Sequence, residues 1–345
     1  MEYRFLGQSG LQLPVFGFGC MTFSDGVGQF AAVGSTNGAS AERLVDICLE
    51  HGTDFFDTAD AYASGRSEEI LGAALGARRN AVTVATKAFF RMGQGRHDTG
   101  LSRRHLIEAC EASLRRLGTD WIDLYQVHNF DSFTPLEETL RALEDLVRAG
   151  KVRYLGCSNY AAWQLAMAHG IAKAEHLGGY VGQQIQYSLA VREAEEELLK
   201  CGPQIGVGAI IWSPLAQGFL SGKFRGQAGG KTRLELSGAL AAYDNPRGSA
   251  ILAAIDGIVE ARGGGVTHSQ VALNWVRARH GVTSILIGAR TESQLLDNLG
   301  AATWTLTEAE IAALDTVSEV PLRYPVSMQY TYGAERNASP FKRYG

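Results

Sequence analysis

The chain has 345 residues, of which 46% are hydrophobic and 20% charged, and its formal net charge at pH 7 is −4. This composition is typical of a globular protein with a sizeable core, and the mild charge argues against a nucleic-acid partner or a polybasic membrane surface. We expect a cytosolic protein with reduced thiols, because its five cysteines are scattered, its N-terminal segment lacks the features of a signal peptide, and no apolar stretch is long enough to cross a bilayer.

The chain opens on two short apolar runs around glycine-rich turns, a pattern that predicts a β-hairpin followed by a strand near 15–19. Strand and helix patterns then alternate along the chain. The predicted strands after the first are FFDTA, VTVATK, DLYQVH, VRYLGCSN, VGQQIQ, VGAIIW and SILIGA. The predicted helices are SAERLVDICLEHG, SEEILGAALG, LSRRHLIEACEASLRRLG, TPLEETLRALEDLVRAG, one from about Ala161, one from about Arg192, SQVALNWVRARHG and ESQLLDNLG.

The predicted helix TPLEETLRALEDLVRAG carries signals at both of its ends. Thr134 precedes Pro135 and has Glu137 three residues further on, which is the spacing of a capping box. Leucines then recur at helical spacing along one face, and Gly150 ends the run. We therefore expect an amphipathic helix that begins at a threonine cap and packs its leucines against the core.

The predicted strands number about eight, and each is short, apolar and separated from the next by a helix. This alternation predicts a parallel sheet with right-handed crossovers, and eight units favour closure into a barrel over a doubly wound sheet. We therefore predict one α/β domain over 1–345, a (β/α)8 TIM barrel with an N-terminal β-hairpin. Long loops are expected at its C-terminal face, at 25–39 and 219–247, because both follow strand ends. We expect the weakly periodic tail, 320–345, to fold over the mouth or onto a partner.

Polar side chains occupy the predicted carboxyl ends of neighbouring strands, where barrel enzymes carry their chemistry. One strand ends in Asp57, with Tyr62 just beyond, the next ends in Lys87, and the next in His128. Each residue alone has a structural explanation, as a turn cap, a solvated strand end, a core histidine or a packing aromatic. Together they would converge within a few ångströms, and buried charges persist only when they are paired. The group is therefore a candidate active site.

These residue types are suited to proton transfer. A tyrosine phenol, with an ordinary pKa of about 10, is too weak an acid to act alone near neutrality. Lys87 would lower the pKa of Tyr62, Asp57 would neutralise and orient Lys87, and His128 would hold a substrate oxygen by hydrogen bonding. The expected result is an acid that protonates an oxygen while a hydride reaches the attached carbon, and a base in the reverse direction.

Seven segments now identify a resemblance to a known family. They are, in chain order, FFDTADAYASGRSEEILG, ATK, LYQVHN, VRYLGCSNY, QIQYSL, WSPLAQGFLSGK and IGARTESQLLDNL. The chain resembles the aldo-keto reductase superfamily from its N-terminal hairpin to about Leu314, and within it the branch of bacterial general reductases and potassium-channel β-subunits. The resemblance implies hydride transfer between a nicotinamide cofactor and a small carbonyl or alcohol substrate. By this resemblance Tyr62 is the proton donor, and Lys87 with Asp57 tunes its pKa. His128 is the residue that orients the substrate.

The same resemblance implies a cofactor site. Its nicotinamide end comprises a carboxamide clamp of Ser158, Asn159 and Gln184, with Trp212 against the ring. Its pyrophosphate loop comprises Ser213, Leu215, Gly218, Ser221 and Lys223, and its adenosine end Gly288, Arg290, Gln294, Asp297 and Asn298. Arg290 would contact a 2′-phosphate, which favours NADP(H) over NAD(H) while leaving NAD(H) possible. Trp212 has the alternative role of a core residue. Gln294 has that of a helix cap, because it follows Thr291 at capping-box spacing.

Other readings of the sequence fit less well. Gly17-Phe18-Gly19 lacks the third glycine of a dinucleotide-binding fingerprint, and a metal-dependent hydrolase would need ligands besides His128. A cofactor-binding regulatory or partner subunit with little turnover remains the alternative, because such subunits in the branch resembled retain the same four residues. An apolar substrate pocket, suited to a bulky carbonyl or a ring alcohol, would draw on some of the aromatic residues near strand ends and loops, and the others would belong to the core: Phe23, Phe89, Phe90, Trp121 and Phe130. The sequence points to no particular oligomeric state.

Overall fold

A computed structural model of the chain describes residues 1–26, 34, 36–223 and 240–333. Two strands form an antiparallel hairpin, and the eight strands that follow form a closed parallel barrel. The hairpin strands are β1 (Tyr3–Phe5) and β2 (Gln12–Pro14). The barrel strands are β3 (Phe16–Gly19), β4 (Phe55–Asp57), β5 (Thr83–Ala88), β6 (Ile122–Val127), β7 (Val152–Ser158), β8 (Tyr180–Gln186), β9 (Gly208–Trp212) and β10 (Val282–Ile287).

Helices follow the barrel strands and surround the sheet. The first six are α1 (Gly38–Glu50), α2 (Arg66–Leu75), α3 (Arg103–Leu117), α4 (Leu136–Arg148), α5 (Ala162–Ala174) and α6 (Leu198–Gln204). After β9 come α7 (Leu240–Tyr243), α8 (Pro246–Ala261) and α9 (His268–Arg277), and after β10 come α10 (Glu292–Gly300), α11 (Glu308–Ser318) and α12 (Val326–Gly333). Leucines of α4 face the core as predicted, because the helix buries Leu136, Leu140 and Leu143.

The strands are paired in chain order, and β10 closes the ring by pairing with both β3 and β9. The predicted (β/α)8 barrel is therefore confirmed. Because all eight strands run parallel, their carboxyl ends meet at one mouth. The register sets functional positions beside one another: Lys87 pairs with Gln126, and Ser158 pairs with Gln184.

The N-terminal hairpin closes the opposite mouth. Leu6 and Leu13 are fully buried and pack in a core cluster with Phe55 and Leu124. Gly7 has a φ of +60°, and a Cβ there would lie 2.2 Å from the backbone oxygen of Gly206. Only glycine therefore lets the hairpin turn approach the strand ends this closely. With this end filled, a ligand reaches the barrel from the carboxyl mouth.

Several elements differ from the sequence prediction. The loop predicted at 219–247 gives way to helix before its expected end, since α7 starts at Leu240 and α8 at Pro246. The helix predicted from about Arg192 is a 3-10 turn, Glu193–Glu195, followed by α6. The tail contains α12, and α11 precedes it. The remaining parts of the predicted loops and tail, at 27–33, 35, 224–239 and 334–345, lie outside the described residues.

The predicted capping box of α4 is wrong. Thr134 donates its hydroxyl to Asp131 at 2.7 Å, and the helix begins after Pro135 without a side-chain cap. Asp131 also accepts from the backbone N–H groups of Leu101 and Phe133. A carboxylate is a stronger acceptor than a hydroxyl, so Asp131 rather than Thr134 organises this loop.

Candidate active site

Lys87 links the carboxyl ends of β4 and β5 to the turn that follows β4. Its ammonium is fully buried and donates to Asp57 Oδ1 at 2.5 Å, to the backbone oxygen of Thr58 at 2.8 Å and to Tyr62 Oη at 3.3 Å. Three acceptors match the three protons of an ammonium group. Asp57 and Lys87 meet because β4 and β5 are neighbouring parallel strands. The structure thus brings three of the four predicted catalytic residues into direct contact.

Tyr62 is half-buried in a 3-10 turn, Tyr62–Gly65, which directly follows the loop from β4. The backbone of Ala63 and Ser64 has positive φ, a strained conformation that places Tyr62 and α2 at the end of a very short connection. The backbone N–H of Tyr62 donates to the backbone oxygen of Ala59. The phenol is therefore held against Lys87, whose Nζ lies 4.9 Å from the centre of the Tyr62 ring.

His128 follows β6 and completes the predicted set. Its ring packs edge-on against Tyr62, with 5.7 Å between ring centres, and against Phe90, with 4.8 Å. Burial, and then the nearby charge of Lys87, hold the pKa of His128 well below its ordinary value. The imidazole is therefore neutral near pH 7, with one donor and one acceptor nitrogen. Its buried Nδ1 has no hydrogen-bond partner among the described residues.

Lys87 opposes the effect of burial on the Tyr62 pKa without overcoming it, and Asp57 acts in the same direction as burial. Burial raises the pKa of Tyr62 above its ordinary value, while Lys87 acts to lower it. Burial alone would lower the pKa of Lys87, but Asp57 and Tyr62 reverse this, so Lys87 stays protonated. Lys87 thus acts in the predicted direction, but the net shift of the Tyr62 pKa is upward because burial has the larger effect. Both groups hold their protons in the absence of a ligand.

Gln126 belongs to this site and was not predicted. Its Nε2 donates to Asp57 Oδ2 at 3.0 Å, beside Gln184 Nε2, which donates to the same oxygen at 2.8 Å. Asp57 therefore gives one oxygen to Lys87 and the other to two amides. Gln126 is fully buried near the carboxyl end of β6, and a polar side chain at that end of a strand, two residues before His128, was the signal that could have identified it.

The predicted carboxamide clamp lies at the ends of β7 and β8. Ser158 donates its hydroxyl to the backbone oxygen of Gln184, and Asn159 Nδ2 donates to the backbone oxygen of His128. Asn159 has a φ of +58°, in the left-handed region that asparagine tolerates better than most residues. These bonds fix the clamp residues to neighbouring strands, so all three lie at the same mouth as the catalytic group.

A single groove of about 1220 Å³ runs across this mouth. Lys87 lies beneath its floor, and every other predicted site residue lines it. These lining residues are Asp57, Tyr62, His128, Ser158, Asn159, Gln184, Trp212, Ser213, Leu215, Gly218, Ser221, Lys223, Gly288, Arg290, Gln294, Asp297 and Asn298. Met21, Arg91 and Met92 also line the groove and were not predicted, and Phe90 lines it as one of the aromatics expected for the substrate pocket.

The groove beyond Trp212 has the character of a site for an extended anion. The backbone turns sharply after β9, with positive φ at Ser213 and Gly218. A Cβ built at Gly218 or Gly288 would meet nothing within 4 Å, so the backbone is open to the groove at both positions. Lys223 and Arg290 form no ion pair within the described ranges. Open backbone and two cations without carboxylate partners fit the phosphates of a dinucleotide.

Side chains at the start of α10 also have structural partners. Thr291 caps α10 by accepting from the Gln294 N–H, and Gln294 Oε1 accepts from the Arg290 N–H. Asn298 Nδ2 donates to the backbone oxygen of Gly288, and Asp297 accepts from Gln270. The helix-serving role weighed for Gln294 is therefore present. This bond uses only the backbone N–H of Arg290, whose guanidinium has no carboxylate partner among the described residues.

The predicted aromatic lining is only partly correct. Phe90 lines the groove, with Phe89 packed against it. Phe23 is fully buried in the core, and Phe130 packs against Tyr160 and Trp163 beside the mouth. Trp121 precedes β6 and stacks between Arg79 and Arg153 at the opposite end of the barrel. The expectation that some of the five belong to the core holds for Phe23, and Trp121 lies away from the groove, because aromatic residues near strand ends serve the core and the closed end as readily as a pocket.

Comparison with known proteins agrees with this geometry. The model of the Aldo/keto reductase family matches residues 15–319. The chain belongs to this family. Among the proteins similar to this chain is a "Probable voltage-gated potassium channel subunit beta" of Arabidopsis thaliana, 35% identical over 315 residues, which cover 87% of this chain and 91% of that protein. A protein of the same description from Oryza sativa subsp. japonica is 36% identical over 311 residues, with the same coverage.

Within the described ranges, no helix combines the length and the apolar character that a transmembrane span needs.

Proposed function

We propose that this chain is an NADP(H)-dependent oxidoreductase that interconverts a carbonyl compound and an alcohol, with Tyr62 as the general acid and base. One observation carries the proposal: Lys87 Nζ donates hydrogen bonds to Asp57 and to Tyr62 Oη at the floor of the groove. A buried ammonium in this position favours any negative charge that develops on the phenol. Membership of the aldo/keto reductase family supports an oxidoreductase in general.

The groove residues are proposed to hold the cofactor along its length. The bound nicotinamide would supply or accept the hydride at the substrate carbon. Trp212 would lie against the ring, and Gln184 with Asn159 would orient its carboxamide. The backbone of the turn after β9 would hold the pyrophosphate. Lys223 and Arg290 have no carboxylate partner among the described residues; Lys223 would take the pyrophosphate, and Arg290 would take the 2′-phosphate at the adenosine end.

In the reductive direction, Tyr62 Oη would give its proton to the carbonyl oxygen. Lys87 would stabilise the phenolate left behind, and Asp57 would keep Lys87 charged. His128, neutral because burial lowers its pKa, would donate a ring N–H to the same substrate oxygen without competing for the proton. One hydride and one proton convert the carbonyl to an alcohol, and the reverse reaction uses Tyr62 phenolate as the base.

The direct test is an assay of NADPH oxidation with a panel of aldehydes, ketones and quinones, and of NADP+ reduction with alcohols. We expect turnover with at least one class and a preference for NADPH over NADH. The cytosol is the proposed site of the reaction, because it suits a protein whose five cysteines are free.

A second candidate function follows from the relatives' printed descriptions as potassium channel β-subunits. In this alternative, the chain binds cofactor as a regulatory subunit and turns over little. The same assay separates the two functions. Tight NADPH binding without consumption on any substrate, in either direction, would favour the regulatory subunit.

A further inference from the structure

Arg91 is the charged residue that stands out at the substrate end of the groove. It follows Phe90, whose ring packs 4.8 Å from that of His128. Of the other charged residues lining the described groove, Lys223 belongs to the proposed pyrophosphate loop, Arg290 and Asp297 to the proposed adenosine end, and Asp57 is neutralised by Lys87. His128 is uncharged near pH 7 because burial lowers its pKa. The described substrate end therefore carries the net positive charge of Arg91.

The loop that carries Arg91 is folded by its own glycines and by Asp98. The Asp98 carboxylate accepts from the Gly95 N–H at 2.7 Å, and its backbone oxygen accepts from the Met92 N–H at 2.9 Å. A Cβ at Gly93 would lie 2.3 Å from Asp98 Oδ2, so only glycine allows the carboxylate to approach here. The short sequence from Arg91 to Asp98 thus encodes a defined turn at the rim of the groove.

This turn anchors the guanidinium of Arg91 without neutralising it. Nη1 donates to the backbone oxygens of Gly93, at 3.3 Å, and of Gly95, at 2.7 Å. Nε and Nη2 make no hydrogen bond, and Arg91 enters no ion pair, within the part of the chain that the structure describes. The guanidinium of Arg91 is therefore anchored through Nη1, and its charge and its Nε and Nη2 protons remain available to a ligand.

We propose that Arg91 forms an anion subsite, so that substrates of this enzyme carry a carboxylate or a phosphate besides the reacting carbonyl. The proposal rests on the proposed function and names the class of its substrate. A guanidinium donates two parallel hydrogen bonds to either anion. Phe90, Met92 and Met21, which also line this end, suit the hydrocarbon that joins the anion to the carbonyl. Hydride and proton go to the carbonyl, and the anionic group is unchanged.

The test compares three aldehydes of nearly the same shape: 4-carboxybenzaldehyde, 4-formylphenyl phosphate and the neutral methyl 4-formylbenzoate. The measured quantity is kcat/KM for each anionic aldehyde divided by kcat/KM for the ester. In Arg91→Gln we expect this ratio to fall about fivefold for the anion that the subsite takes, because one solvent-accessible ion pair is lost. Arg91→Glu should lower it further, since it places a repelling charge at the same point.

Arg96→Gln is the matched control, because Arg96 lies in the same loop and is not among the described groove-lining residues. It should leave the ratio unchanged. The anion whose kcat/KM ratio falls in Arg91→Gln, carboxylate or phosphate, is the one that the subsite takes. Equal ratios in the wild type and Arg91→Gln for both anions, or an equal fall in Arg96→Gln, would overturn the subsite.

A binding measurement separates this inference from the proposed function. Titration calorimetry of 4-(hydroxymethyl)benzoate, 4-(hydroxymethyl)phenyl phosphate and the methyl ester of the benzoate into the NADP+-loaded protein needs no turnover. We expect Arg91→Gln to weaken binding of the anion about fivefold relative to that of the ester. If no aldehyde is reduced, the proposed reaction fails and this titration still decides the subsite. If reduction is normal but neither ratio nor binding depends on Arg91, the subsite alone fails.

Discussion

Gln184 and Asp57 are 127 residues apart in the chain, yet Gln184 Nε2 donates to Asp57 Oδ2 at 2.8 Å. The bond joins the ends of β8 and β4 across the barrel, and Gln126 donates to the same oxygen. Asp57 is therefore held by two amides on one side and by Lys87 on the other. A residue expected only to clamp the cofactor thus also fixes the carboxylate that orients Lys87.

Tyr62→Phe should reduce turnover by about 10²-fold or more, because the variant lacks the only proton that Tyr62 can transfer. Cofactor binding should remain close to that of the wild type, since the ring is retained. NADPH oxidation measures the first quantity and a fluorescence titration with NADPH the second. Tyr332→Phe, at an exposed position of α12, is the matched control. Near-normal turnover in Tyr62→Phe would rule out Tyr62 as the main acid.

Lys87→Met should destabilise the fold by about 3–5 kcal/mol, because it leaves the buried Asp57 carboxylate without its charged partner. Asp57→Asn in the same chain should recover much of this loss, since it removes the charge that was left unpaired. Urea unfolding of the wild type, both single variants and the double variant gives the coupling energy. Additive effects of the two substitutions would mean that the pair contributes no mutual stabilisation.

Arg290→Ala should weaken NADPH binding more than NADH binding. The difference arises because a guanidinium without a carboxylate partner recognises the 2′-phosphate that only NADPH carries. Dissociation constants for the two cofactors, measured on the wild type and the variant, provide the test. NADH serves as the internal control, because loss of α10 structure would affect both cofactors. Equal losses would remove Arg290 from the 2′-phosphate site.

Asp60→Asn should change how stability depends on pH. Asp60 is fully buried and faces Glu68 of α2, Arg116 of α3 and Lys87 of β5, and burial followed by the charge of Glu68 raises its pKa from 3.8 to about 7. The folded state thus binds this proton more tightly than the unfolded state. Its contribution to stability is fully present below about pH 4 and is lost as the pH rises through about 7.

In this window the wild type should lose up to about 1.4 kcal/mol of unfolding free energy per pH unit from Asp60, and Asp60→Asn should not. The buried amide introduced by Asp60→Asn also changes the free energy of unfolding relative to the wild type, but by an amount that does not depend on pH. Urea unfolding at several values between about pH 5 and about pH 8 gives the slopes. Asp120→Asn, at an exposed position, should keep the wild-type slope. Parallel slopes for Asp60→Asn and the wild type would contradict a raised pKa.

Some features missed in the sequence had readable signals. Helix α8 begins with Asn245, whose side chain accepts from the Gly248 N–H, and with Pro246 in its first turn. These are helix-start signals, but proline and glycine made the stretch resemble a loop. Gln126 had the signal of a polar residue near the carboxyl end of a strand, two residues before His128. By contrast, the partner of Thr134 was not readable, because Asp131 competes for its hydroxyl through a loop geometry that sequence spacing does not fix.

The sequence by itself determined the order of the strands, the closure into eight units, and the residue types at the carboxyl mouth, because these depend on local periodicity and on the parallel direction of the strands. Only the tertiary structure decided which aromatics face the groove, that Asp57 is shared among Lys87, Gln126 and Gln184, and that burial outweighs Lys87 in setting the pKa of Tyr62. Each of these depends on distances and desolvation between segments far apart in the chain, and those are fixed only when the barrel closes.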